Sequence, residues 1–183
     1  TERGAAAPHI RLGYKCSPHH RARALYPVIA QRQRSAKLGA GDSNDQRLRK
    51  LEALLGRSDL KTPTLVPLFA DLLSIATDGH YPPLDWTPQQ LRRNTLAALI
   101  QRLQRLCAEA PVVCIVEDLH WADATSLELL GLAVRLADQL RLLLVLTFRD
   151  EFALPWMGPA NLTTLELGRL KETEVQHMIA DVI

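Results

Sequence analysis

Glu117 and Asp118 stand side by side where an unbroken apolar run, Val112-Val113-Cys114-Ile115-Val116, gives out, in the stretch VVCIVEDLHWAD. A carboxylate left unpaired where a buried strand emerges carries a large desolvation penalty, so two in succession imply a cation that offsets it. The chemistry that fits is a magnesium ion carrying nucleotide phosphates. One carboxylate then lies on the metal or its water and the other orients an attacking water. His120 and Trp121 follow directly. Trp121, at a strand-to-helix corner, reads as packing, and His120 either packs or senses the nucleotide. Asp123 precedes Ala124-Thr125-Ser126 at a helix start, where a carboxylate caps free backbone N–H groups.

The elements that position these residues follow from hydrophobic periodicity. Residues 9–16 alternate Ile10, Leu12 and Tyr14 with Arg11 and Lys15, a strand pattern that Ser17-Pro18 ends. Residues 21–33 predict a helix that Pro27 kinks or delays. Residues 39–44 form a loop, and Ser43, Asn44 or Asp45 is available to cap a helix running to about Leu55. A short apolar helix is expected over 64–75, then turns at Asp78-Gly79 and Tyr81-Pro82-Pro83. Thr87-Pro88 opens the most regular helix, with Leu91, Leu96, Leu99, Ile100, Leu103 and Leu106 recurring to Glu109. The β-branched run at 112–116 reads as a strand buried on both faces, and 142–148 as a second apolar strand. A helix over 124–139 connects them, 161–167 alternates as an edge-type strand, and 170–183 reads as an amphipathic helix. Strands alternating with helices predict an α/β sandwich on a mainly parallel sheet. Ligands in such sheets bind at the carboxyl ends of the strands.

Composition narrows the class without choosing the chemistry. With 183 residues, 47% hydrophobic and 23% charged, the chain matches an ordinary globular domain and excludes collagen-like and disordered classes. Its apolar runs fall far short of the roughly 20 residues that a bilayer helix needs, and no secretory signal opens it, so no membrane association is expected. Cys16, Cys107 and Cys114 match no disulfide or zinc spacing, which fits a reducing, cytoplasmic setting. Basic residues outnumber acidic ones 11 to 3 up to Lys50, and acidic outnumber basic 17 to 11 from Leu51 onward. Arg21, Arg23, Arg32, Arg34, Lys37, Arg47, Arg49 and Lys50 are interleaved with aliphatics as on a solvated helix face, so direct nucleic-acid binding by this segment is not expected.

EDLHWAD resembles the Walker B region of P-loop ATPases of the signal-transduction class with numerous domains (STAND), relatives of the AAA group. More narrowly it resembles the ATPase module found beside adenylate/guanylate cyclase domains and in large LuxR-type regulators. Further elements match: Cys16-Ser17-Pro18-His19-His20 (CSP-x-H), Leu25-Tyr26-Pro27-Val28 (LYPV), Tyr81-Pro82-Pro83-Leu84 (YPPL) and Thr147-Phe148-Arg149 (TFR). The resemblance implies a three-layer α/β sandwich of the P-loop NTPase type with ATP and Mg²⁺ as cofactors. It gives Glu117 the metal role, Asp118 the water-activating role, Arg149 the phosphate sensor, and nucleotide contacts to His120 and Thr147. It also implies a division into a partial ATPase core, 1–168, and the start of a following helical region, 169–183.

The sequence departs from this family in one major respect. No G-x-x-x-x-G-K-[ST] occurs in it, and Gly39-Ala40-Gly41-Asp42 lacks both the spacing and the Lys. The expectation is a chain that starts just downstream of that loop and its strand, Thr1 being no initiator Met. A sheet without its central strand exposes two apolar edges, so the isolated polypeptide is expected to be poorly soluble or molten. The parent would bind ATP with magnesium and hydrolyse it slowly as a switch, passing the change to an attached cyclase, sensor or DNA-binding domain. Assembly as a homo-oligomer stays open, and the alternative is a non-catalytic scaffold that keeps a degenerate ATPase fold.

Overall fold

A computed structural model of the chain describes residues 8–56, 64–77, 79–156 and 162–168, together with Gln176 and Ile179. Among these residues three strands form one parallel sheet in the order β1 (Ile10–Lys15), β2 (Val112–Glu117), β3 (Leu142–Leu146). The register aligns Ile10, Val112 and Leu142 at one end, and Lys15 with Glu117 at the carboxyl end. Among the described residues the two crossovers carry five α-helices: α1 (Tyr26–Ser35), α2 (Asn44–Gly56), α3 (Leu65–Leu72) and α4 (Pro88–Glu109) between β1 and β2, then α5 (Ala124–Leu136) between β2 and β3.

Helix boundaries follow from caps and prolines. Thr87 closes a capping box with Gln90 and places Pro88 at the first position of α4, where its missing N–H is unneeded. Ser43 and Gln46 exchange the same reciprocal pair of bonds at the start of α2. Pro27 delays α1 instead of kinking it: a 3₁₀ turn at Pro18–His20 comes first, and the helix starts at Tyr26 with the proline in its first turn.

Leu25, Leu51, Leu55, Phe69, Leu73 and Leu99 bring α1 to α4 together in one apolar cluster. A second cluster lies against the sheet around Val112, Cys114, Val116 and Leu119. The three cysteines are free and buried. Leu12, Tyr14, Cys114, Val116 and Leu144 share one sheet face and meet residues of α1, α4 and α5. On the other face Arg11, Lys15, Leu143 and Val145 are exposed, and Val113 and Ile115 are half-buried. Burial of the central strand on both faces is thus corrected to one covered face, the other being only half-buried at Val113 and Ile115.

Two further expectations change. Residues 162–168 form no strand and are exposed, Leu165 at 82% and Leu167 at 95%, because they meet no partner strand among the described residues. Asn161 and most of the expected helix over 170–183 lie outside the described residues. Arg32, placed by its spacing on a solvated face, is buried on the inner side of α1 beneath the Phe69 ring. Among the described residues no helix is long and apolar enough to cross a membrane.

Candidate active site

Glu117 is the last residue of β2 and is exposed at the carboxyl edge of the sheet, with Lys15 opposite it in register. The Cys16 N–H donates to the Glu117 carbonyl at 3.0 Å and carries the β1–β2 pairing one residue further. Asp118 then turns the chain with φ 59° and ψ 42°, the left-handed region. L-residues pay for that conformation, and Asp and Asn pay least because their short polar side chains bond locally. The turn takes the Asp118 N–H out of the ladder, and Thr147 accepts it through Oγ1 at 3.1 Å. The Thr147 carbonyl accepts from Leu119 N–H at 2.8 Å, and its own N–H donates to Val116 O at 3.0 Å. A threonine just past β3 therefore fixes the acidic turn by three bonds, of which the one through Oγ1 is beyond an aliphatic residue. Arg149, two residues on, is exposed, and its carbonyl accepts from Phe152 N–H in a turn.

Behind the acidic pair, Asp123 is buried and joins two segments of the chain. Its Oδ1 accepts from Thr125 N–H at 3.0 Å and Ser126 N–H at 2.9 Å, capping α5, and from Leu25 N–H at 3.1 Å across 98 residues. Its Oδ2 accepts from the Ser126 hydroxyl at 2.6 Å. Leu25 is itself left-handed, φ 55°, an uncommon state for a bulky side chain, and Asp123 holds it at the head of α1. Trp121 carries the Arg21 guanidinium at 6.0 Å from its ring centroid, and His20 stacks on Tyr26 at 3.7 Å. The CSP-x-H and LYPV elements thus lie along the acidic loop. Burial, with the Asp123 and Asp118 carboxylates adding to it, pushes the Cys16 thiol up to about 11.

The sequence-derived candidates divide accordingly. Glu117, Asp118 and Thr147 come together at one end of the sheet, with Arg149 two residues past Thr147. His120 differs: both ring nitrogens are buried with no hydrogen-bond partner among the described residues, and its ring lies 5.0 Å from that of Trp121. Outside these candidates, Arg92 of α4 is tied to Glu128 of α5 by an ion pair. Two features escaped the sequence reading. Lys15 brings a cation beside Glu117, legible only once the parallel register is known, and the bond from Leu25 to Asp123 leaves no local signal at all.

A family model described as an AAA ATPase domain matches residues 3–146. The chain belongs to the AAA ATPase domain family. The match spans β1 to β3 and both acidic residues, and stops one residue short of Thr147. AAA ATPase domains are nucleotide-binding modules that generally use ATP with Mg²⁺. An uncharacterized protein of Rhizobium meliloti (strain 1021) is 31% identical over 165 residues, which is 90% of this chain and 16% of that protein. The chain thus spans about a sixth of that relative's length. No solved structure matches it significantly.

Proposed function

We propose that this AAA ATPase domain contributes the acidic half of an ATP-hydrolysing site in a larger signalling protein. The observation that carries the reading is the junction of Glu117, Asp118 and Thr147 at the carboxyl ends of adjacent parallel strands, the end of the sheet where ligands bind. Hard carboxylate oxygens suit Mg²⁺, which takes one or two carboxylates alongside phosphate oxygens and water. Glu117, exposed and free to reach outward, holds the metal in this reading. Asp118, fixed by Thr147, orients the water and accepts its proton, and Arg149 meets the terminal phosphate. Bound Mg²⁺ neutralises charge on the transferring phosphoryl group. His120 enters only if its ring turns outward, since its nitrogens are shielded here.

The remaining half of the site, a phosphate loop and its strand, is proposed to pair with the open edge of β3. Three observations support this: β3 is paired on one side only among the described residues, Leu143 is 58% exposed, and a groove of about 410 Å³ runs between β3 and residues 162–165. A second helical layer over Arg11, Lys15, Leu143 and Val145 would complete a three-layer sandwich, with 1–168 as core and 169–183 opening the next region. The STAND class, a cytoplasmic setting, self-association, and coupling to a cyclase, sensor or DNA-binding output rest on the sequence resemblance. The test is fluorescent ATP binding with Mg²⁺ by the 183-residue chain beside one extended upstream through a phosphate loop. Binding by the extended chain alone supports the reading. Binding by neither leaves a scaffold domain and overturns it.

A further inference from the structure

Arg32 of α1 and Arg102 of α4 are 7% and 8% exposed, and both line one cavity of about 60 Å³ between the helices and the sheet. The Arg32 Nε and the Arg102 Nε and Nη1 are buried and have no hydrogen-bond partner among the described residues. The walls are mainly apolar, with Leu99, Leu103, Val116 and Leu144 among them, and among the described residues no carboxylate lines the cavity. Tyr14 also faces it, and burial pushes its hydroxyl up to about 12, so it serves as a neutral donor. The Phe69 ring, 5.4 Å from the Arg32 Cζ, offsets part of one charge and does nothing for Arg102. Burial first, and the Arg32 charge second, lower Arg102 to about 10, with Glu109 and Tyr14 acting the other way, and burial lowers Arg32 too; guanidinium groups keep their proton inside proteins.

Two cations in an apolar wall with free N–H groups cost stability unless something negative joins them. Water satisfies the N–H groups but adds no charge to the partial offsets from Phe69 and Glu109, whereas an anion answers both needs. We propose that this cavity is a binding site for one small monovalent anion, held between the Arg32 and Arg102 guanidinium groups. Volume sets the size class. An apolar cavity of about 150 Å³ admits benzene, so this one suits a halide or an oxyanion of about four heavy atoms or fewer, such as nitrate, formate or bicarbonate. An anion here braces α1 and α4 against β2 at Val116, one residue before Glu117. The inference stands apart from nucleotide binding, because none of its residues belongs to the acidic pair.

Hydrogen exchange of the whole protein that carries this chain, at fixed pH and ionic strength in chloride and then in gluconate, tests it. Amides of α1 and α4 that exchange only when the cavity opens should slow about tenfold when chloride reaches ten times its dissociation constant. Arg102→Met should abolish the difference. The wild-type anion series decides the matter alone if that variant fails to fold. Equal exchange in chloride and gluconate would mean a cavity filled by water and would overturn the proposal. Stronger protection by octanoate than by chloride would overturn the size class.

Discussion

Replacing Asp123 by alanine removes four hydrogen bonds at once, and the structure sets how much that should cost. Loss of the α5 cap removes the acceptor for Thr125 N–H and Ser126 N–H, worth about 1 kcal/mol. Leu25 N–H, buried and among the described residues paired only through this carboxylate, is left without an acceptor at a cost of about 2 kcal/mol. The total is about 3 kcal/mol, which lowers the melting temperature of a domain this size by roughly 6 to 12 °C. Asp123→Asn keeps one oxygen for the three N–H donors, and the Ser126 hydroxyl can turn to accept from the new amide, so about 1 kcal/mol should be lost. Urea unfolding followed by tryptophan fluorescence gives the totals. Peptide-level hydrogen exchange gives the location, since in Asp123→Ala the head of α1 around Leu25 should open together with the start of α5. A loss below about 1 kcal/mol, or faster exchange confined to α5, would refute the claim that this carboxylate ties the two segments together.

Other consequences follow from the same structure. Asp118→Asn should fold as stably as the parent, whereas Asp118→Val should lose about 1–2 kcal/mol because a β-branched residue resists φ 59°, measurable by urea denaturation. Cys16, raised from 9.0 to about 11, should be alkylated at pH 8 about a hundredfold more slowly in the folded protein than in urea, and Cys114, raised to about 12, more slowly still. Hydrogen bonds from Lys50 Nζ and then Gly39 N–H hold the Asp42 carboxyl below its ordinary value. A depressed folded pKa adds stability that is present above the unfolded value near 3.9 and lost as pH falls through the folded one. Stability should therefore decline more steeply below about pH 4 in the parent than in Lys50→Met, as urea midpoints across that range would show.

What could be read from the residues alone tracks how local each determinant is. The strands and the long helix α4 were legible because apolar runs, a Thr-Pro start and a three-and-four leucine spacing act within one element. The acidic pair was legible because its position at a strand exit follows from the run before it. Asp123 as a helix cap was legible from the residues after it, while its bond to Leu25 was not, since the partner lies 98 residues away. Arg32 was misplaced because a solvated arginine and one buried beside a phenylalanine give the same spacing. Residues 162–167 alternate like a strand, but a strand needs a neighbour to supply its hydrogen bonds, and none is described there. His120 stayed ambiguous because its ring orientation depends on packing around Trp121, which no local pattern specifies.

The decisive measurement is ATP turnover and ATP binding, side by side, for Glu117→Gln and Asp118→Asn in a chain extended through a phosphate loop. If Asp118 handles the water and Glu117 the metal, Asp118→Asn should bind ATP with Mg²⁺ about as well as the parent and lose turnover by a factor of roughly 10²–10⁴. Glu117→Gln should lose turnover too, with weaker dependence of binding on Mg²⁺. Turnover unchanged in both variants, in a chain that binds ATP, would contradict the assignment of this acidic pair to catalysis.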